Sequence, residues 1–526
     1  MKQQQSQVVQ IMLITIVIGL IAHAYCYFST PFLHDALMLH QGDDNEWKVE
    51  LGRFVYPFYM MIRGDIVAPW LIGILSLAYI SIANYMVIYL LRIEGFLRQV
   101  VVCGVFTVNL PIILLNASYI HDVDLNMLAF MGSVGAVYLL ERYKRGYLIG
   151  VIVLALSLGV YQSFLQVTAT LLCFVLLQKL WDQVSYQELF LFVKKAILMM
   201  VGAVLFFYGM NYVMLQSYQI VSNSTGNGIG SAFLFGQESI FWYIQNMFVY
   251  LVRSFLRPIA IYPSVVRICN SIIIVFIGMA LVGIVIRKGM NRTRVGLFIA
   301  TVCMIPFAMA FVYIVAVGHF HNLMETSFSL LYVLLVMLYP RNSNRKECIF
   351  GWKKNIGTSI STMSLVLVAI ILWNQIILAN QMYVMAQLKY DTTLSTMTRV
   401  IDRIEEQEGY VMNETPVLFV GSLVANDSSF HQMRVGFEHL YVGTGQYYYM
   451  GTTTRRMYEW YFQYVLAYPI VCMNDGEGDV EEMVAYMLKE EVRNMPNFPH
   501  VDSMQMIDGV LVVKFSKEDT LGALDI

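Results

Sequence analysis
The chain has 526 residues, of which 58% are hydrophobic and 13% charged, with a formal charge of -2 and a mean hydropathy of +0.60. Soluble domains carry about 25% charged residues, so the composition excludes a water-soluble globular enzyme and identifies an integral membrane protein. The formal charge says nothing about nucleic acid, but no basic cluster larger than a short loop exists, so no nucleic-acid partner is expected. Seven scattered cysteines, most of them inside apolar runs, give no disulfide framework and no zinc spacing.

Residues 8–28 read as an uncleaved first span, because the flank MKQQQSQ lacks a charged leader and no small-residue cleavage motif follows. Apolar runs of spanning length follow at 69–91, 99–118, 125–140, 196–216, 264–286, 295–317, 322–339 and 357–379. The run 147–180 is long enough for two short spans and breaks at Gly159-Val160-Tyr161-Gln162-Ser163, which predicts a tight hairpin. The expected fold is therefore an α-helical polytopic membrane protein of about eleven transmembrane helices.

Lys and Arg collect in alternate connections: Arg92 and Arg98; Arg142, Lys144 and Arg145; Lys179, Lys194 and Lys195; Arg287, Lys288, Arg292 and Arg294; and Arg341 to Lys354. The positive-inside rule assigns these to the cytoplasm. The loops 29–68, 117–124, around 161, 217–263 and 318–321 then face outward, with the N-terminus inside and the residues after 380 outside.

The outward loops hold the chemically useful side chains. The first, 32–70, carries Asp35, Asp43, Asp44, Glu46, Arg53, Arg63 and Asp65 among aromatics, the pattern of a segment lying in a membrane interface. The charge run Asp43, Asp44, Glu46 reads as a solvated turn, and no spacing supports a divalent-cation site there. The second loop has His121, Asp122 and Asp124. The third is the Tyr161-Gln162 break, where polar residues interrupting apolar structure tend to line a cavity. The fourth ends in Arg253 and Arg257, and the fifth holds His319, His321 and Asn322. Arg53, Arg63, Arg253 and Arg257 are the candidates to grip a phosphate, since guanidinium binds it in two-pronged fashion.

Residues 381–526 change character. Helical periodicity runs over 388–408, a short strand covers Pro416–Val420, and helices are expected at 452–467 and about 478–493. Asp508-Gly509 between apolar stretches 504–507 and 510–515 predicts a β-hairpin. The chain thus divides into a membrane domain, 1–380, and a small extracytoplasmic α/β domain, 381–526.

FLHDAL at 32–37, LGRFVYPFY at 51–59, GVYQSF at 159–164 and MPNFPHVDSMQMIDGVLVVKFS at 495–516 give the chain its resemblance to the bacterial serotype-converting glucosyltransferases of type II, integral-membrane glycosyltransferases of the GT-C superfold. The resemblance implies a GT-C-like catalytic membrane domain. It implies transfer of a glucosyl or related unit from a polyprenyl-phosphate donor to a cell-envelope glycan, such as O-antigen, on the outer face of the cytoplasmic membrane. It also implies an acidic residue in the first outer loop and a second acid in the next. Asp35 matches the first position, flanked by His34 as a tuning group, and Asp122 or Asp124 matches the second. Ala36 stands where relatives often show a further acid. The implied reaction is an inverting displacement with a carboxylate base and phosphate as leaving group, in which general-base help is worth about 10²–10⁴ in rate. His121, Tyr161, Gln162 and His319 join the arginines as expected substrate contacts. No cofactor and no metal ligand set is implied.

Two other classes remain open at this point: a transporter or flippase for a lipid-linked glycan, and a non-catalytic assembly subunit. A carrier favours inverted repeats and ionisable residues at mid-membrane. The chain shows no convincing repeat, and its charges sit at span margins.

Overall fold
The computed structural model describes residues 2–29, 44–64, 67–220, 238–339, 354–421, 458–473 and 480–515. His34, Asp35, Asp43 and the first part of the expected helix 452–467 lie outside the described residues. The chain divides into two compact units. One takes the described residues of Met1–Phe28, Asp43–Asn116 and Ile120–Asn380, and the other those of Ser29–Gly42, Ala117–Tyr119 and Gln381–Ile526.

The first unit is helical throughout. α1 (Lys2–Phe28) leads to two short helices, α2 (Asp44–Glu50) and α3 (Tyr56–Arg63), before α4 (Pro69–Leu90), which opens on a proline whose missing N–H is no loss at a helix start. Then come α5 (Phe96–Thr107), α6 (Leu110–Ser118), α7 (Val123–Arg142), α8 (Gly146–Leu158), α9 (Phe164–Trp181) and α10 (Tyr186–Ser217). The start of α10 is fixed by Ser185, whose side chain accepts the Glu188 N–H. α11 (Ile240–Leu256), α12 (Pro263–Lys288), α13 (Arg292–Ala310), α14 (Val312–Val315), a 3-10 segment Asn322–Ser329, α15 (Leu330–Leu338) and the first part of α16 (Lys354–Glu405), up to Asn380, complete the order; the rest of α16 belongs to the second unit.

Among the described residues, eight helices are long and apolar enough to cross a membrane, and the bent pair α5 and α6 raises this to nine. Nine of the runs expected to span are thus membrane-length helices or a bent helix pair. The other two expected runs, 147–158 and 322–338, form shorter apolar helices, 13 residues for α8 and 17 for Asn322–Leu338, the latter beginning as a 3-10 segment. The expected span 357–379 and helix 388–408 form one continuous helix, α16; no proline or glycine interrupts 379–388 to break it.

The 43° bend between α5 and α6 has an identifiable origin. Pro111 has no N–H to give the Thr107 carbonyl and its ring crowds that oxygen. Buried His23 on α1 supplies the donor instead: its Nε2 lies 2.9 Å from Thr107 O. Asn109 patches the rest, giving Nδ2–H to Val105 O at 3.1 Å and taking the Ile112 N–H on Oδ1 at 3.2 Å.

Two sets of connections meet within themselves. At one end, Arg92 pairs with Asp182 at 2.7 Å, Gln183 donates to Lys288 O at 2.6 Å, Arg294 to Val184 O at 2.9 Å and Arg98 to Ser361 at 2.6 Å. The other set joins the segment 48–55, the start of α7, the α8–α9 break and residues 321–324, as described below.

In the second unit a four-stranded mixed sheet, ordered β2-β1-β4-β3, is built from β1 (Pro416–Val420), β2 (Val471–Cys472), β3 (Met504–Ile507) and β4 (Val510–Lys514). β1 is parallel to β2 and β4, and β3 and β4 form the hairpin, closed by Asp508 and Gly509 at φ 48° and 82°. Alternation sorts the strands' side chains: Val417, Phe419, Leu511 and Val513 pack with Met397, Val400 and Ile404 of α16, while Leu418, Val420 and Val512 pack with Met483 and Met487. The last two belong to α17 (Val480–Leu488), which precedes α18 (Glu490–Asn494).

Candidate active site
α2 is a single amphipathic stretch whose inward face is Lys48 and Val49, both fully buried. Lys48 Nζ donates to Asp122 Oδ2 at 2.7 Å and stands over the Tyr56 ring, 4.9 Å from its centroid. The same Asp122 oxygen has Arg53 Nη1 at 3.8 Å and His121 Nε2 at 3.6 Å. Gly52, at φ 80°, turns the chain out of α2 and delivers Arg53. Asp122 Oδ1 is buried with no hydrogen bond among the described residues. Burying an ammonium and a carboxylate is costly unless they meet closely, and here they do.

One helical step further, fully buried Asp124 takes the Tyr59 hydroxyl on Oδ2 at 2.9 Å and has Arg63 Nε at 3.5 Å. Burial first, and the Asp124 carboxylate second, hold the Tyr59 phenol well above its usual pKa, so it stays a donor. Asp122 and Asp124 thus anchor α2 and α3 respectively to the start of α7.

The α8–α9 break is held against the same segment. Val55 N–H donates to Gly159 O at 3.0 Å and Gln162 Nε2 to Leu51 O at 3.0 Å. Gly159 has to be bare, since a Cβ there would lie 2.5 Å from the Phe54 ring. The Arg53 guanidinium covers the Tyr161 ring at 5.4 Å, a cation–π distance. The Tyr161 hydroxyl lies 3.4 Å from His321 Nε2. Burial pushes the Tyr161 phenol up to about 12, partly offset by Arg53, so it is a neutral hydroxyl at ordinary pH.

Of the residues the sequence points to, the structure brings together Arg53, Arg63, His121, Asp122, Asp124, Tyr161 and Gln162. Arg253 lies in the last turn of α11 and Arg257 caps it; both are exposed, as is His319. Among the described residues no hydrogen bond or ion pair joins these three to the Asp122 group. Sequence reasoning missed Lys48, though it is the only lysine between Lys2 and Lys144. It also missed Glu325, the only acid between Glu238 and Glu347. Such lone charges in apolar stretches are the available signal. Among the described residues no three His, Cys, Asp or Glu side chains converge as a metal site.

A bundle of membrane-length helices with arginines, carboxylates and tyrosines gathered where its connections meet defines a polytopic membrane protein with a polar cluster at a span margin. The family model described as glucosyl transferase GtrII matches residues 24–340, and the chain belongs to that family; it is a membrane glycosyltransferase. No curated protein and no solved structure matches it.

Proposed function
We propose that the protein moves a glucosyl or related unit from a polyprenyl-phosphate donor to a cell-envelope glycan, on the outer face of the cytoplasmic membrane. The observation that carries this reading is Arg53. Its side chain keeps 26% exposure while standing beside Asp122 and over Tyr161, so its remaining donors are available to a phosphate. Arg63 is buried against Asp124 and serves the scaffold.

In the reaction, an acceptor hydroxyl oxygen attacks the anomeric carbon. The bond from that carbon to the phosphate oxygen breaks, and the electron pair leaves with the lipid phosphate. The hydroxyl proton passes to a carboxylate, for which Asp35 is the candidate from its place after the first span. Phosphate is a good leaving group, so the site's main contribution is positive charge where negative charge develops. Arg53 supplies it, with Lys48 keeping Asp122 from opposing it. The configuration at the anomeric carbon inverts in such a single displacement.

Orientation follows from charge. The connections rich in Lys and Arg meet one another, and the Asp122 group gathers the connections that lack such clusters, which supports placing the latter outside.

The test is turnover of polyprenyl-phosphate glucose by wild type, Arg53→Ala and Asp35→Asn in the presence of envelope glycan, scored as released lipid phosphate. Turnover by wild type, with donor KM raised in Arg53→Ala and kcat lost in Asp35→Asn, upholds the reading. Wild type that releases no lipid phosphate overturns it.

A further inference from the structure
Glu325 is 8% exposed at the foot of the 3-10 segment Asn322–Ser329, among aromatic rings. The Tyr250 hydroxyl donates to its Oε1 at 2.6 Å and Asn322 Nδ2 to the same oxygen at 3.1 Å. Both partners are neutral. Asp122 and Asp124, by contrast, have their charge matched by Lys48, Arg53 and Arg63. Burial, and next the Glu325 carboxylate, hold the Tyr250 phenol well above its usual pKa, so Tyr250 is the donor in this contact.

A carboxylate enclosed with only neutral donors weakens a fold, because burial removes its hydration and no cation restores it. Its retention at a span margin calls for a ligand. The surroundings say which kind. Tyr250 meets Phe320 edge-on at 5.1 Å and Tyr313 at 5.8 Å, and Phe320 stacks on Phe328 at 6.0 Å. Aromatic faces beside one carboxylate and one amide suit a ring that is apolar on its faces and hydroxylated at its edge. Both of these hydrogen bonds go to Oε1, and the Ser254 hydroxyl is a third neutral donor to the carboxylate. The group is next in the chain to His321, which touches Tyr161 under Arg53, so a sugar held here lies beside the phosphate-gripping arm.

We propose that Glu325, with Tyr250 and Asn322, forms a subsite that binds hexose hydroxyls. The hexose is either the acceptor glycan's ring or the donor's glucosyl ring. The inference rests on the transfer reading above. Glu325 is a substrate-binding residue in this assignment, its carboxylate accepting a sugar O–H in exchange for one of its neutral donors and Asn322 supplying a donor.

The experiment uses the full-length protein in proteoliposomes with polyprenyl-phosphate glucose and isolated envelope glycan, comparing wild type, Glu325→Gln and Tyr250→Phe. A hydrogen bond to a charged group that forms only with ligand predicts a rise in one KM of about 10- to 100-fold in Glu325→Gln. Tyr250→Phe raises the same KM less. A rise in glycan KM identifies the acceptor ring, and a rise in donor KM the glucosyl ring. Unchanged KM values in a Glu325→Gln protein that melts like wild type overturn the proposal, as does a fall in kcat alone. If Glu325→Gln does not fold, Tyr250→Phe with both KM values unchanged overturns it. A separate readout divides this failure from failure of the transfer reading: methyl α-glucoside raises the Tm of wild type and not that of Tyr250→Phe. That difference without any donor turnover upholds the subsite and sinks the transfer reading; neither turnover nor a shift sinks both.

Discussion

Lys48 Nζ and Asp122 Oδ2 are 2.7 Å apart, with the lysine fully enclosed. The pair ties a seven-residue helix to the head of a span 74 positions later in the chain. Removing one partner leaves the other charge buried, at a cost of about 3–5 kcal/mol. Lys48→Ala and Asp122→Ala are each expected to lower stability by that amount in denaturation measured in detergent. The double variant Lys48→Met with Asp122→Leu is expected to recover most of the loss, because no orphan charge remains. Equal losses in single and double variants would show that the ion pair is not what holds α2.

Gly159 and Phe54 set where Arg53 and Tyr161 stand. A methyl group on Gly159 would lie 2.5 Å from the ring, so ring and backbone must part. Overpacking of this kind costs about 1–3 kcal/mol. Gly159→Ala should show that loss in thermal unfolding and a raised donor KM. Phe54→Leu in the same protein should return part of both, since the smaller side chain frees the space.

His23 should matter to stability far from any chemistry. Its Nε2 contact with Thr107 O replaces the helical bond that Pro111 cannot make. His23→Leu leaves a buried carbonyl without its donor, worth about 1–3 kcal/mol. The expected result is a lower Tm with donor and glycan KM values unchanged. A Tm equal to wild type would mean that the carbonyl finds another donor.

Tyr161 carries a prediction about pH. Its phenol is pushed up to about 12 by burial, so it keeps its proton throughout the neutral range. Loss of activity in Tyr161→Phe should therefore be the same factor across the neutral range. A factor that changes with pH there would mean that the hydroxyl is linked to a titrating neighbour, His321 being the one 3.4 Å away.

Much of the helix order was legible because its causes are local. Apolar runs, Pro69, Ser185 and the Gly159–Ser163 break each act within a few residues. The strand Pro416–Val420 and the Asp508-Gly509 turn were legible for the same reason. The length of each helix was less so. The run 147–158 forms a helix of 13 residues and 322–338 one of 17, shorter than the other runs expected to span. The unbroken α16 reads as two elements in sequence because its composition changes along its length while its backbone does not.

The candidate site divides the same way. Sequence alone placed arginines, carboxylates and a tyrosine in connections, since charges in an apolar chain stand out against the cost of burying them. It could not say which of them would be matched. Arg53 and Arg63 read alike in sequence. The fold encloses Arg63 against Asp124 and leaves Arg53 at 26% exposure over Tyr161. Lys48, which sequence reasoning passed over, is set by the fold against Asp122. The chain's membrane character and the residue types at the ends of its spans were thus fixed by local sequence. Which charge is scaffold and which is left for a substrate was decided only by tertiary structure, because charge matching depends on distances between residues remote in the chain.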